Sequence, residues 1–259
     1  MKKLVGIGIG IILLLIFILN INEDKQKQLP SDLIIDESKK VLEQGEEGTA
    51  LLPVNEDIEI PPAPPKMETG IFELDETVQV NMLGKSYHEN TQVEFSDLRL
   101  VQVVYYGFDD LEHQGQLIVH KAIDQKVLDI FEELHEAEFP IEKIQLIDVY
   151  DGDDNRSMVD NNTSAFNYRV VEGTNNLSNH SYGLAIDINP LVNPYVTNNG
   201  VYPAEGTSYV DREVPVKGMI TKGDVCYEAF ISRGFSWGGD WKNSKDFQHF
   251  DIKIEGLNE

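Results

Sequence analysis

The chain has 259 residues, of which 41% are hydrophobic and 25% charged, and a formal net charge of -24. That length suffices for one sizeable core with appendages, and so much negative charge repels a phosphate backbone and argues against nucleic acid as a partner. With one cysteine, Cys226, the chain has no internal disulfide.

From the N-terminus, Lys2 and Lys3 precede an almost unbroken apolar run, Leu4 to Leu19. As a helix the run through Ile21 would span roughly 27 Å, close to the ~30 Å hydrocarbon core of a bilayer. The residues that follow, Asn20 to Asp24, carry no small-x-small cleavage signal and no cysteine for lipid attachment. Residues 1–22 are therefore expected to be an uncleaved transmembrane anchor, in preference to a cleaved secretion signal. Lysines on the leading flank place that end in the cytoplasm and the rest outside the cell membrane. Residues 23–68 are acidic and end in Ile60-Pro61-Pro62-Ala63-Pro64-Pro65, the composition of an extended stalk.

A globular pattern occupies 69–259, with its core over about 95–255. Leu100 to Tyr106 is β-branched and aromatic and predicts a strand. Ile123, Val127, Ile130, Phe131 and Leu134 recur at helical spacing ahead of Pro140 and predict a helix over about 121–136. Ile144 to Tyr150 reads as another strand. Asp224 is placed to cap a short helix whose inner face carries Cys226, Ala229 and Phe230, with Gly234 as its stop. Elements in this mixed order predict an α+β domain: a small antiparallel sheet with flanking helices.

Two segments carry chemistry. After Gly183, Leu184, Ile186 and Ile188 alternate with Ala185, Asp187 and Asn189, which predicts a strand with Asp187 off the core face. His180 precedes the glycine by three residues, and strict alternation would put positions 180 and 187 on opposite faces. A turn or bulge at Tyr182-Gly183 brings them to one side. Near the C-terminus Phe250, Ile252 and Ile254 alternate with His249, Asp251 and Lys253. If the two strands pair with their core faces matched, His249 faces Asp187. Two imidazoles and one carboxylate make a three-ligand zinc (Zn2+) set that leaves a fourth position for water. Asp246, three residues before His249, is close enough to take a proton from that water and pass it to a leaving amine. Taken singly, each histidine also reads as a capped or core residue, and Asp187 as a turn or edge carboxylate.

The pattern Ser178-x-His180-x-x-Gly183-x-Ala185-x-Asp187, followed by Asp246-x-x-His249-Phe250, resembles the zinc D-Ala-D-Ala peptidases. These comprise D-alanyl-D-alanine carboxypeptidases, D-Ala-D-Ala dipeptidases and L-alanyl-D-glutamate endopeptidases. The resemblance covers about 145–252. It implies that His180, Asp187 and His249 bind zinc and that Asp246 is the catalytic acid/base, where several members carry Glu. It implies a small α+β domain with the metal on the sheet, and a peptidoglycan stem peptide as substrate. It also implies an arginine that steadies substrate and oxyanion. Arg156 and Arg169 are the candidates, with Arg156 preferred.

Trp237-Gly238-Gly239-Asp240-Trp241 is a glycine-bent aromatic loop that could wall the cleft through Trp237 and Trp241, or simply pack its indoles. Ser181 and Tyr182 flank the first histidine as candidate substrate contacts, although a turn hydroxyl is the plainer reading of Ser181. Asp151, Asp153 and Asp154 read as a solvated turn in preference to a Ca2+ site. The leading expectation is a membrane-tethered (alternatively secreted) zinc peptidase acting outside the cell, of carboxypeptidase type, with an L-Ala-D-Glu endopeptidase as the alternative. A metal-containing wall-binding module without hydrolysis is the rival from another class.

Overall fold

A computed structural model describes residues 67–89, 91–171 and 174–258. The anchor expected over 1–22, and all but the last two residues of the stalk expected over 23–68, lie outside them. Among the described residues no helix is long and apolar enough to cross a membrane.

Strand β1 (Gly70–Phe72) leads to helix α1 (Glu76–Met82), whose N-terminus is capped by the Asp75 carboxylate accepting from Val78 N at 2.8 Å. Strands β2 (Leu98–Tyr106) and β3 (Glu112–His120) form a long antiparallel hairpin, with β1 on the free edge of β2. The predicted helix follows as α2 (Asp124–Glu136) and buries Val127, Ile130, Phe131 and Leu134 against β2.

The predicted strand from Ile144 to Tyr150 is not one strand. Only β4 (Lys143–Ile144) is extended, and Ile147–Tyr150 form a 3-10 turn. Ile144, Ile147 and Tyr150 are buried while Val149 is exposed, so the apolar spacing is threefold and alternation misreads it. After helix α3 (Asp154–Val159), strand β5 (Asn162–Thr163) runs parallel to β4. Just past Ile144, the Asn162 side chain accepts from Gln145 N at 2.8 Å and donates to Gln145 O at 3.0 Å. These bonds occupy the Gln145 backbone groups that a longer ladder would need.

A 3-10 turn, Asn179–Tyr182, leads into β6 (Ala185–Asp187); then come β7 (Tyr195–Thr197) and β8 (Gly200–Tyr202). Helix α4 (Val225–Ile231) is capped by Asp224, which accepts from Tyr227 N at 2.8 Å, and it buries Cys226, Ala229 and Phe230. Strands β9 (Ser236–Trp237), β10 (Lys245–Asp246) and β11 (His249–Asp251) complete the described elements. Two further antiparallel sheets result, ordered β6-β11-β9 and β10-β7-β8. The architecture is thus mixed α and β with several small antiparallel sheets, where a single one was expected.

One apolar core runs from α2 and β2 through Leu184, Ile186 and Ile188 to Phe250 and α4. Phe230 of α4 stacks on Phe250 with ring centroids 4.0 Å apart, which fixes β11 from beneath. Removing the Asp224 side chain (Asp224→Ala) frees the first turn of α4 and should cost about 1 kcal/mol in urea unfolding. Gly183 has φ of 68°, and a Cβ there would sit 2.6 Å from His120 N. Gly183→Ala should therefore destabilise by more than about 1 kcal/mol in the same measurement.

Candidate active site

The 3-10 turn at Asn179–Tyr182 resolves the parity problem between positions 180 and 187. Ser178 caps it, its hydroxyl accepting from His180 N at 3.3 Å, and Gly183 ends it in the left-handed conformation, its N–H donating to His180 O at 3.0 Å. The reversal turns His180 to the side on which Asp187 lies. Pairing of β6 with β11 sets His249 directly opposite Asp187. His180 Nε2 is 3.1 Å from Asp187 Oδ2, His249 Nδ1 is 2.9 Å from Asp187 Oδ1, and the two ring nitrogens are 3.2 Å apart. All three residues are buried, and among the described residues they are the one His/Cys/Asp/Glu group whose ligand atoms converge within 4.8 Å of one another.

This donor set fits a zinc ion. Ligands at about 2.0–2.2 Å from a tetrahedral zinc lie roughly 3.3–3.6 Å from one another, and the observed separations are a few tenths shorter. The proton inventory points the same way. His180 Nδ1 is 2.6 Å from Ala165 O, an acceptor only, so Nδ1 carries the hydrogen. In a neutral ring Nε2 then presents a lone pair to the Asp187 carboxylate, acceptor against acceptor, and a cation between them removes the conflict. Histidine ligands characteristically hold their second nitrogen on a backbone carbonyl in this way.

The charges at the site are strongly interdependent. Burial opposes ionisation of Asp187, but His180 and His249 outweigh it and hold the carboxyl well below the usual range. Burial likewise disfavours the His249 imidazolium, yet Asp187 and Asp251 push it up to about 10. For Asp246 burial, helped by the Asp187 charge, outweighs the pull of His249 and Arg169 and raises it to about 7, and its Oδ1 is buried without a hydrogen-bond partner. Its strand, β10, pairs with β7 at Tyr195. A Cβ on Gly238 would come within 2.6 Å of Asp246 O, so the glycine-bent loop closes directly over this residue.

Asp187, Asp246 and His249 open onto a cleft of about 610 Å³. Arg169 lines it, with one guanidinium nitrogen 3.1 Å from Asp154 Oδ2 and 3.9 Å from Asp187 Oδ2. Arg169 opens a lip closed by the Val170–Leu177 bridge; its carbonyl accepts from Ser178 N at 3.0 Å, and Val171 and Leu177 line the cleft. The preference for Arg156 is corrected. Helix α3 turns Asp154, Asn155 and Met158 toward the cleft and Arg156 away from it, where Arg156 meets Asp151 Oδ2 at 3.3 Å and Tyr150 O at 3.4 Å.

Three of the four candidate substrate contacts do not line the cleft. Ser181 is buried; its hydroxyl donates to Arg169 O at 2.7 Å and accepts from Arg169 N at 2.9 Å, so it holds the arginine's backbone. Tyr182 packs between the two apolar clusters. Trp237 is core, its Nε1 donating to Phe247 O at 2.9 Å. Trp241 does line the cleft, with its ring centroid 5.7 Å from that of His249 and 6.4 Å from that of Tyr195. The acidic turn has three separate tasks: Asp153 caps α3, Asp151 pairs with Lys85 and Arg156, and Asp154 pairs with Arg169. Tyr195, Tyr202, Gln248 and Asp251 also line the cleft and were not singled out from sequence. For Asp251 a signal existed: it lies two residues from His249 on a strand, hence on the same face.

No solved structure gives a significant match to the chain. Residues 172–252, the stretch that contains His180, Asp187, Asp246 and His249, match the family model described as D-alanyl-D-alanine carboxypeptidase. That match supports a place for the chain in this family of peptidases.

Proposed function

We propose that the chain is a zinc-dependent peptidase that hydrolyses an amide bond in peptidoglycan stem peptides, in the manner of a D-alanyl-D-alanine carboxypeptidase. One observation carries this reading: three ligand atoms converge at the edge of a cleft that Asp187, His249 and the buried carboxylate of Asp246 line, with His180 buried behind them. His180, Asp187 and His249 would hold the zinc. When bound, it supplies Lewis acidity, polarising a carbonyl and lowering the pKa of water to about 7.

The remaining chemistry belongs to side chains. Asp246, whose carboxyl burial pushes above the usual range, can accept a proton from the attacking water and return it to the departing amine. Its unpartnered oxygen is the natural acceptor. Arg169 is permanently charged and lies on the cleft wall, where it offsets the negative charge that develops on the carbonyl oxygen. Trp241 and Tyr195 form an apolar wall that orients the peptide and excludes water. An anchor over 1–22 and a stalk beyond it would carry this unit outside the cell membrane, within reach of the wall; a secreted form is the alternative.

The deciding experiment incubates the full chain with purified muropeptides and follows the products by mass spectrometry. Release of D-alanine is expected, and a chelator should abolish it. A longer fragment would identify the endopeptidase alternative, and unchanged muropeptides with zinc-loaded protein would overturn the enzymatic reading. Asp246→Ala should lower turnover by roughly 10²–10⁴-fold with zinc content intact in elemental analysis, whereas a pure binding module would be indifferent to it. Arg169→Ala should lower kcat by roughly 10²–10³-fold. Arg156→Ala, which removes an exposed ion pair, should change it by less than about twofold.

A further inference from the structure

We propose that Asp251 is a positioning residue for the metal centre: its carboxylate, facing the Nε2 edge of His249, favours the tautomer with hydrogen on that nitrogen, so that Nδ1 is presented to zinc and zinc affinity rises. The proposal rests on the zinc-peptidase reading above. His249 turns Nδ1 toward Asp187 and His180, at 2.9 and 3.2 Å. Nδ1 is therefore its ligand atom, and Nε2 must carry the proton. Asp251 Oδ2 faces that Nε2 at 3.8 Å. The separation is too long for a hydrogen bond, so the influence is that of a nearby charge in a partly buried site, where screening is weaker than at the surface.

The carboxylate is itself held in place. Asn179 Nδ2 donates to its Oδ2 at 2.6 Å, and Ser236 Oγ donates to its Oδ1 at 2.6 Å. Asn179 is oriented in turn by Asn258, whose Nδ2 donates to Asn179 Oδ1 at 2.9 Å. Asn179 is the residue immediately before His180, so Asp251 links the turn that carries one proposed ligand to the strand that carries another. Neither donor needs a full negative charge on its acceptor. An amide at 251 could accept from Asn179 and donate to Ser236, whose hydroxyl can reverse. Only His249 uses the charge, and that separates a positioning role from a packing one.

The test measures zinc affinity of the full chain by competition with a chelator, the absorption spectrum of the cobalt-substituted form, and far-ultraviolet circular dichroism of the metal-free form. Asp251→Asn should weaken zinc binding by roughly 10–100-fold, shift the cobalt spectrum and leave the secondary structure of the metal-free form unchanged, and Asp251→Glu should restore part of the affinity. Equal zinc affinity in Asp251→Asn and the unsubstituted chain overturns this proposal alone. A fall in affinity with an unchanged cobalt spectrum and no rescue by Asp251→Glu also overturns it, because the role is then structural. Should Asp251→Asn fail to fold, Ser236→Ala replaces it: loosening one tether should weaken zinc binding several-fold, and unchanged affinity is the contrary result. An unsubstituted chain that binds no zinc overturns the parent reading and this one with it.

Discussion

The antiparallel register between β6 and β11, with His249 opposite Asp187, is the constraint on which the rest of the site depends. Side chains alternate along a strand, so a slip of one residue would carry His249 to the apolar face and Phe250 to the cleft. Register is held from below: Ile186 and Phe250 are fully buried, and Phe230 stacks on Phe250. The apolar core thus determines where the imidazole points. On its other edge β6 is bonded to Ser164, with Asp187 N donating to Ser164 O at 2.9 Å, so the Asp187 backbone is fixed from both sides.

On that frame, two buried carboxylates have opposite fates. Asp187 is surrounded by two imidazoles and stays ionised; Asp246, without a comparable partner, is pushed toward neutrality. In the proposed function, the first environment suits a ligand for a cation and the second a group that exchanges a proton. Arg169 adds a fixed positive charge on the same cleft, 3.9 Å from Asp187 and tied down by Asp154 on α3. In a chain of net charge -24 a cation at the cleft is an exception to the local composition, and its position is determined by structure built around it.

How much of this the sequence disclosed depended on distance along the chain. The strand at 184–188, the helix near 121–136 and the α4 cap were legible because period and capping are local. The three converging side chains were legible because alternation in two short strands, plus one glycine, restricts where they can meet. The sequence favoured Arg156 over Arg169 wrongly, since the choice turns on which face of the short helix α3 looks at the cleft. Ile144 to Tyr150 was misread because threefold and twofold spacing differ little over seven residues. Trp237 and Trp241 share one loop, yet only Trp241 reaches the cleft; Gly238 and Gly239 between them redirect the chain in a way composition does not encode.

The two serines beside His180 have a wider consequence. Ser178 caps the histidine's turn and bonds Arg169 through its backbone, and Ser181 grips Arg169 through both of its backbone groups. The base of the lip is therefore welded to the reaction centre, while its outer apolar residues, Val171 and Leu177, carry no such bonds to the His180 turn. Under the proposed function, variation in the lip would be partitioned accordingly: exchanges among its rim residues would change the shape of the cleft mouth, while exchanges at its root would disturb the His180 turn and Arg169. A scaffold divided this way can diversify its substrate range without rebuilding its reactive core.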